Sequence, residues 1–159
     1  MSPSPANETS YDADFFLWTQ QQAARLRQGR WSQIDAANLA EEIESMGKSD
    51  RRAIISHLAI ILRHLLEWCR QPERRGTRWR LSIRNGRQEI DWIVNDSPSL
   101  RRQLSELIES VYPMARENAA DETGLALDVF PEQCPFTVEQ VIGDDWPESV
   151  LDDAPQSGR

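Results

Sequence analysis

The stretch that decides the fold is SDRRAIISHLAIILRHLLEWCRQP, residues 49–72. Ser49 is a good helix cap and Pro72 stops a helix, so the pattern predicts a helix between these two residues. At 100° per residue, its apolar side chains fill an arc of about 160°, and many of its polar ones gather within about 80°. So wide an apolar face is typical of a helix with several neighbours, and we predict that it is the centre of the molecule.

The chain before this stretch predicts two more helices. The first begins with Asp12 as its cap and ends before Gly29. The second begins after Asp35 and ends at Gly47, two residues before the central helix starts. Three apolar residues follow one face of this second helix at i, i+4, i+7: Leu39, Ile43 and Met46.

Residues 77–94 allow two interpretations. Apolar and polar residues alternate on both sides of an Asn-Gly dipeptide at 85–86, which is the strongest short-range signal for a β-hairpin and would pair Trp79 with Trp92. A helix would instead leave Leu81 and Trp92 on the face opposite its apolar stripe. It would also place Gly86 mid-helix at a cost of about 1 kcal/mol. Local rules therefore favour the hairpin.

The remaining elements are also predicted to be helical. Ser97 as cap and Pro98 in the first turn open a fifth helix, which ends at Gly124. Thr137 and Gln140 have the spacing of a capping box and predict a short C-terminal helix. We predict a disordered N-terminus over residues 1–10, a single helical domain over 11–147 and an acidic tail over 148–159.

Composition excludes several classes of protein. The chain has 159 residues, 39% apolar and 28% charged, which suits one globular domain. No apolar run approaches the length of about 18 residues that a membrane helix needs, and the N-terminus lacks the pattern of a signal peptide. Two cysteines form no disulfide scaffold and no zinc quartet. We expect a cytoplasmic protein that does not associate with membranes.

Charge is distributed unevenly along the chain. The net charge is −8, yet residues 70–87 contain seven arginines and one acid, and eleven acids follow from Glu117 onward. Arginines bind phosphate, and nearby tryptophans can stack on bases, so this stretch is a candidate anion or nucleic-acid contact. Its candidate residues are Arg74, Arg75, Arg78, Arg80, Arg84 and Arg87. Alternatively, the arginines neutralise the acidic C-terminal part within the fold.

A second candidate is a cluster of acids and imidazoles for acid–base chemistry or metal binding. It comprises His57, His64, Glu41, Glu42 and Glu44. If the second and central helices are antiparallel neighbours, the glutamates lie about 8–12 Å from the turn, His57 about 12 Å and His64 about 22 Å. Only His57 is then within reach of Glu41 or Glu42. In the alternative, both histidines are ordinary boundary residues. We assign no metal and predict no cofactor.

The order of several sequence blocks resembles a family of small proteins from cyanobacteria and proteobacteria, the domain of unknown function number twenty-nine. The blocks are YDADFFLW at 11–18, LRQGRW at 26–31, IDAANLAEEIESMG at 34–47, HLLEW at 64–68, SPSL at 97–100, ETGL at 122–125 and FPEQCP at 130–135. The resemblance implies an all-helical bacterial protein without an established activity, and it favours a helix over residues 77–95. Glu67 stands where the family pattern often has a lysine.

These observations predict an all-α fold: a compact bundle of about five main helices around a central buried helix, plus a short C-terminal helix. The alternative is an α+β fold with a hairpin at 77–94.

The function is unknown. Our best hypothesis is a cytoplasmic helical interaction module that contacts a protein or nucleic-acid partner. The alternative is a metal-dependent or acid–base enzyme that uses the His/Glu cluster, and we lean against it because no nucleophile or phosphate-loop motif occurs. The oligomeric state is open, with helix-one aromatics able to pair two subunits.

Overall fold

The computed structural model describes residues 9–147. Six α-helices lie in this part of the chain: α1 (Phe15–Arg27), α2 (Ala36–Arg70), α3 (Thr77–Asp96), α4 (Pro98–Arg101), α5 (Leu104–Thr123) and α6 (Val138–Ile142). Three short 3₁₀ turns connect them at Trp31–Gln33, Pro72–Arg74 and Leu127–Val129. The described residues form no strand, which confirms the all-α class. Except for residues 9 and 10, the predicted disordered N-terminus and acidic tail lie outside the described residues.

The second and central predicted helices are one continuous helix, the 35-residue α2. The prediction that Gly47 ends one helix and Ser49 caps the next is therefore wrong. A mid-helix glycine costs only about 1 kcal/mol relative to alanine, and the flanking residues are mostly good helix formers. Glu44 and Lys48 also form an i, i+4 ion pair across this segment, with 3.9 Å between Oε2 and Nζ.

Two further predicted boundaries differ in the structure. Asp14, not Asp12, is the N-cap of α1, because its carboxylate accepts a hydrogen bond from the Leu17 backbone N–H at 2.9 Å. The predicted fifth helix is divided into α4 and α5, which are separated by residues 102–103. Its predicted end is confirmed, since Gly124 takes a left-handed conformation with φ 70° after the last residue of α5.

The chain divides into two compact units, the first ending at Lys48 and the second starting at Ser49. In the first unit, Trp18 and Gln22 of α1 are buried. Asp35 links α1 to the start of α2: its carboxylate accepts from Trp18 Nε1 at 3.3 Å, and its backbone N–H donates to Gln22 at 2.8 Å. Hydrogen bonds from Asn38 lower the pKa of Asp35 below its usual value.

The second unit contains the hydrophobic core. Its centre is the part of α2 that the sequence predicted to be central, and α3, α5 and the segment after α5 pack around it. The largest buried side chains are Trp68, Tyr112 and Phe130. Tyr112 donates a hydrogen bond to the Pro131 carbonyl at 2.6 Å, which fixes the segment after α5 against that helix.

The helix over residues 77–96 overturns the locally favoured hairpin. Gly86 is the reason: a Cβ added there would lie 2.9 Å from Ile61 Cγ1 and 3.0 Å from its Cδ1. The missing side chain lets α3 approach α2 closely, and the packing gained offsets the low helix propensity of glycine. Leu81 and Trp92 are 48% and 55% exposed, on the outer face that the helical interpretation required.

This packing predicts opposite effects for two glycine substitutions. Gly86→Ala should lower the free energy of unfolding by about 1–2 kcal/mol, because overpacking against Ile61 outweighs the gain in helix propensity. Gly47→Ala is the matched control, since a Cβ there would meet nothing within 4 Å. It should raise the free energy of unfolding by about 0.5–1 kcal/mol. Urea denaturation followed by circular dichroism measures both, and a stabilised Gly86→Ala variant would contradict the packing described.

Candidate binding cleft

A cleft of about 750 Å³ lies in the second unit, lined by α3, Arg101 of α4, and α6 with the residues that follow it. Its charged lining contains both signs. The cations are Arg80, Arg84, Arg87 and Arg101, and the acids are Asp91, Glu139 and Asp144. Apolar side chains complete the lining, among them Leu81, Ile142 and Trp146. The cleft therefore offers charged groups of both signs next to apolar surface.

Helix periodicity brings the arginines of α3 together. Arg80, Arg84 and Arg87 follow one another at i, i+4, i+7, so they share one face of the helix. The opposite wall depends on α6, whose start is fixed by the predicted capping box. Thr137 accepts from the Gln140 backbone N–H at 3.2 Å, and the Gln140 side chain accepts from the Thr137 N–H at 2.9 Å.

Arg87 attaches this wall to α3. Its guanidinium donates to three backbone carbonyls: Nε to Val141 at 3.1 Å, and Nη2 to Gln140 at 2.6 Å and to Asp145 at 2.8 Å. The Gln140 and Val141 carbonyls lie near the C-terminal end of α6, where a positive charge is favourable, and the Asp145 carbonyl lies in the segment that follows. Burial lowers the pKa of Arg87, and the nearby carboxylates of Asp144, Asp145 and Glu139 oppose that shift. Arg87 is therefore a structural residue of the cleft.

Arg80 lies against a pair of tryptophans. Its guanidinium carbon is 5.0 Å from the ring centre of Trp68 and 5.6 Å from that of Trp146. The two rings are themselves 4.9 Å apart. Arg75 lies over Trp68 at 5.2 Å and donates to its carbonyl at 2.8 Å. The contacts of Trp146 with Arg80 and Trp68 hold it, and with it the segment after α6, beside the cleft.

The structure separates the six predicted arginines by their surroundings. Arg80, Arg84 and Arg87 line the cleft. Arg75 lies over Trp68 and is not part of the lining, and Arg74 and Arg78 are exposed and do not line it either. Arg84 is exposed in the cleft and makes no hydrogen bond or ion pair with any described residue. Arg101 donates to Asn95 at 3.0 Å and lies 3.9 Å from Asp91. Sequence reasoning missed Arg101 and Trp146, because neither residue belongs to the arginine-rich stretch at 70–87.

The predicted acid–imidazole cluster has different partners in the structure. His64 Nδ1 lies 2.8 Å from Glu67 Oε2, and both side chains are buried. Arg63 lies 3.4 Å from His64 Nε2, 3.6 Å from Glu67 and 3.9 Å from Glu122. Because an arginine only donates, Nε2 accepts this contact and Nδ1–H donates to Glu67. Glu67, the departure from the family pattern, therefore belongs to a buried ionic group.

The glutamates of the first unit have their own partners. Glu42 accepts a hydrogen bond from the Tyr11 hydroxyl, which raises the pKa of Tyr11, and Glu44 pairs with Lys48. Glu41 is exposed. The proposed approach of His57 to these glutamates depended on a turn at residues 47–49, where α2 is helical. Among the described residues, no three His, Cys, Asp or Glu side chains are grouped so that they could hold a metal ion.

The comparison with known families confirms the resemblance. The chain belongs to the family described as domain of unknown function DUF29, whose model matches residues 10–147. No curated protein and no solved structure matches the chain. Within residues 9–147, no helix combines the length and the apolar character needed to cross a membrane.

The role of Arg87 predicts that its removal destabilises the second unit. Arg87→Met keeps an apolar stem but loses three hydrogen bonds, so the free energy of unfolding should fall by about 2–3 kcal/mol. Arg78→Met is the control because Arg78 is exposed and lies on the same helix, and its effect should stay within about 0.5 kcal/mol. Urea denaturation measures the free energy of unfolding of both variants. Equal stabilities would mean that Arg87 does not hold α6.

Proposed function

We propose that this protein is a cytoplasmic interaction module and that its cleft binds an extended segment of a partner protein. The single observation that carries the proposal is the mixed lining of the cleft, in which Arg84, without a hydrogen-bond or ion-pair partner among residues 9–147, lies beside carboxylates and apolar side chains. A polypeptide carries all the matching groups: acidic side chains, backbone N–H donors and apolar side chains.

The acids in the cleft favour a peptide over a nucleic acid. Asp91, Glu139 and Asp144 line the same cavity as the arginines, and each would repel a phosphate backbone. The net charge of −8 adds to this repulsion. Two of the arginines are also already engaged, since Arg87 binds backbone carbonyls and Arg80 lies against tryptophans. Arg84 is then the cation best placed to bind an acidic side chain of the partner.

Apolar contacts supply the rest of the binding energy in the proposal. Leu81 is 48% exposed and lines the cleft together with Ile142 and Trp146. A partner residue that covers these side chains would remove apolar surface from water, at about 25 cal/mol per Å². We therefore expect the bound segment to combine one acidic residue, for Arg84, with at least one large apolar residue.

The state of the cysteines supports a reducing compartment. Cys134 forms no disulfide within the described residues and is partly buried, and the partly buried Cys69 thiol donates a hydrogen bond to the Pro147 carbonyl at 3.0 Å. Burial raises the pKa of the Cys134 thiol, which keeps it protonated and weakly reactive at neutral pH. The cytoplasm is the compartment where such thiols persist.

Selection of peptides from a random display library tests the proposal. The full-length protein is the bait, and selected peptides are resynthesised with a fluorescent label for anisotropy titrations at about 0.15 M salt. Arg84→Glu should weaken binding about 10–100-fold, because it replaces a charge-assisted hydrogen bond of about 1.5–3 kcal/mol with repulsion. Arg78→Glu has the same charge change on the same helix outside the cleft, and it should leave the affinity within about twofold.

Two results would contradict this function. One is a selection that yields peptides whose binding is equally sensitive to Arg78→Glu and Arg84→Glu. The other is a labelled 20-nucleotide single strand that binds more tightly than any selected peptide under the same conditions and loses affinity in Arg84→Glu. The second result would assign the cleft to nucleic acid instead.

A further inference from the structure

The first unit exposes large apolar side chains. Phe16 is 73% exposed, Trp31 67%, Ile43 66% and Met46 70%. Among the described residues of this unit, Trp18 is the only large apolar side chain that is buried. A monomeric protein rarely exposes this much apolar surface, and none of the described residues covers it, so the unit has the composition of an interface.

The unit is also too small to form a core of its own. Its described residues contain α1, a 3₁₀ turn and the first part of α2, and two helices cannot enclose an apolar interior by themselves. Two such helix pairs can, because four helices packed together bury one stripe from each. The stripe on α2 has the required spacing, with Leu39, Ile43 and Met46 at i, i+4, i+7.

We propose that the first unit is a homodimerisation element, in which α1 and the start of α2 from two copies of this chain form a four-helix bundle about a twofold axis. The four most exposed apolar residues present about 600 Å² of side-chain surface, given roughly 150–250 Å² for a full aromatic side chain. A standard interface buries about 800 Å² per partner, and half-exposed Phe15 and polar groups at the rim can contribute the remainder.

The exposed apolar surface of the first unit favours a second copy of this chain over a different protein as the partner that covers it. Helices that bury only one tryptophan need a partner over their apolar side chains whenever they are folded. Another copy of the same chain meets this need, because it is present at the same concentration at all times. Twofold pairing also brings the same surface patch of both copies together, so apolar surface meets apolar surface without a separately evolved partner. This inference uses only the first unit, whereas the proposed peptide site lies in the second, so either can fail without the other.

Analytical ultracentrifugation of the full chain between about 1 and 100 μM tests the proposal, with native mass spectrometry as a second readout. We expect a dimer of twice 18.3 kDa. Ile43→Ala with Met46→Ala keeps helix propensity and shortens only the stripe, and it should raise the dimer dissociation constant at least tenfold. Ile43→Glu with Met46→Glu should give a monomer.

Met114→Ala is the matched control. Met114 is 48% exposed on α5 in the second unit, so its truncation should leave the dimer dissociation constant within about twofold. A wild-type chain that sediments as a monomer at 100 μM would overturn the proposal, including the case in which it then binds a different protein through Ile43 and Met46. A dimer that dissociates equally with the control and the stripe variants would overturn it as well.

Discussion

The close contact between Gly86 of α3 and Ile61 of α2 is the constraint on which the second unit depends. Ile61 is fully buried, and no side chain larger than hydrogen fits opposite it without displacing it. This contact brings α3 against the core helix along its apolar face, where Ile83, Ile90 and Val94 are buried as well. A helix interior normally disfavours glycine, so tertiary packing here outweighs local propensity.

The cleft is a consequence of this packing. Once one face of α3 is buried against α2, the arginines at i, i+4, i+7 lie on another face, where Arg87 can reach the end of α6. The tryptophans beside Arg80 then hold the segment after α6 near that face. The arginines in the basic middle of the sequence therefore differ in what they contact. Arg87 is used within the fold, whereas Arg84 stays unpaired among the described residues.

Local sequence rules predicted what local interactions determine. The capping box of α6 and the glycine after α5 follow from contacts within a few residues, and the structure confirms them. The all-α class is confirmed as well, but over residues 77–95 it was predicted from the family resemblance, against the local rules. The rules failed where distant contacts decide. Local sequence predicts a turn at Gly86, whereas in the structure Gly86 packs against Ile61 inside a helix. Local sequence also predicts a helix end at Gly47, whereas α2 is helical on both sides of it. The arginines of α3 that line the site were predictable from the arginine-rich stretch at 70–87, but Arg101 and Trp146 were not. The place of Trp146 beside Arg80 is set by a contact about 65 residues apart in sequence.

A double-mutant cycle between positions 61 and 86 tests the central claim most directly. Gly86→Ala is measured by urea denaturation in the wild-type chain and in the Ile61→Ala background. If contact with Ile61 is what excludes a side chain at position 86, the alanine should destabilise the wild type. In the Ile61→Ala background it should instead stabilise the protein by about 0.5–1 kcal/mol, its intrinsic helix preference. The same change in free energy of unfolding in both backgrounds would contradict the account.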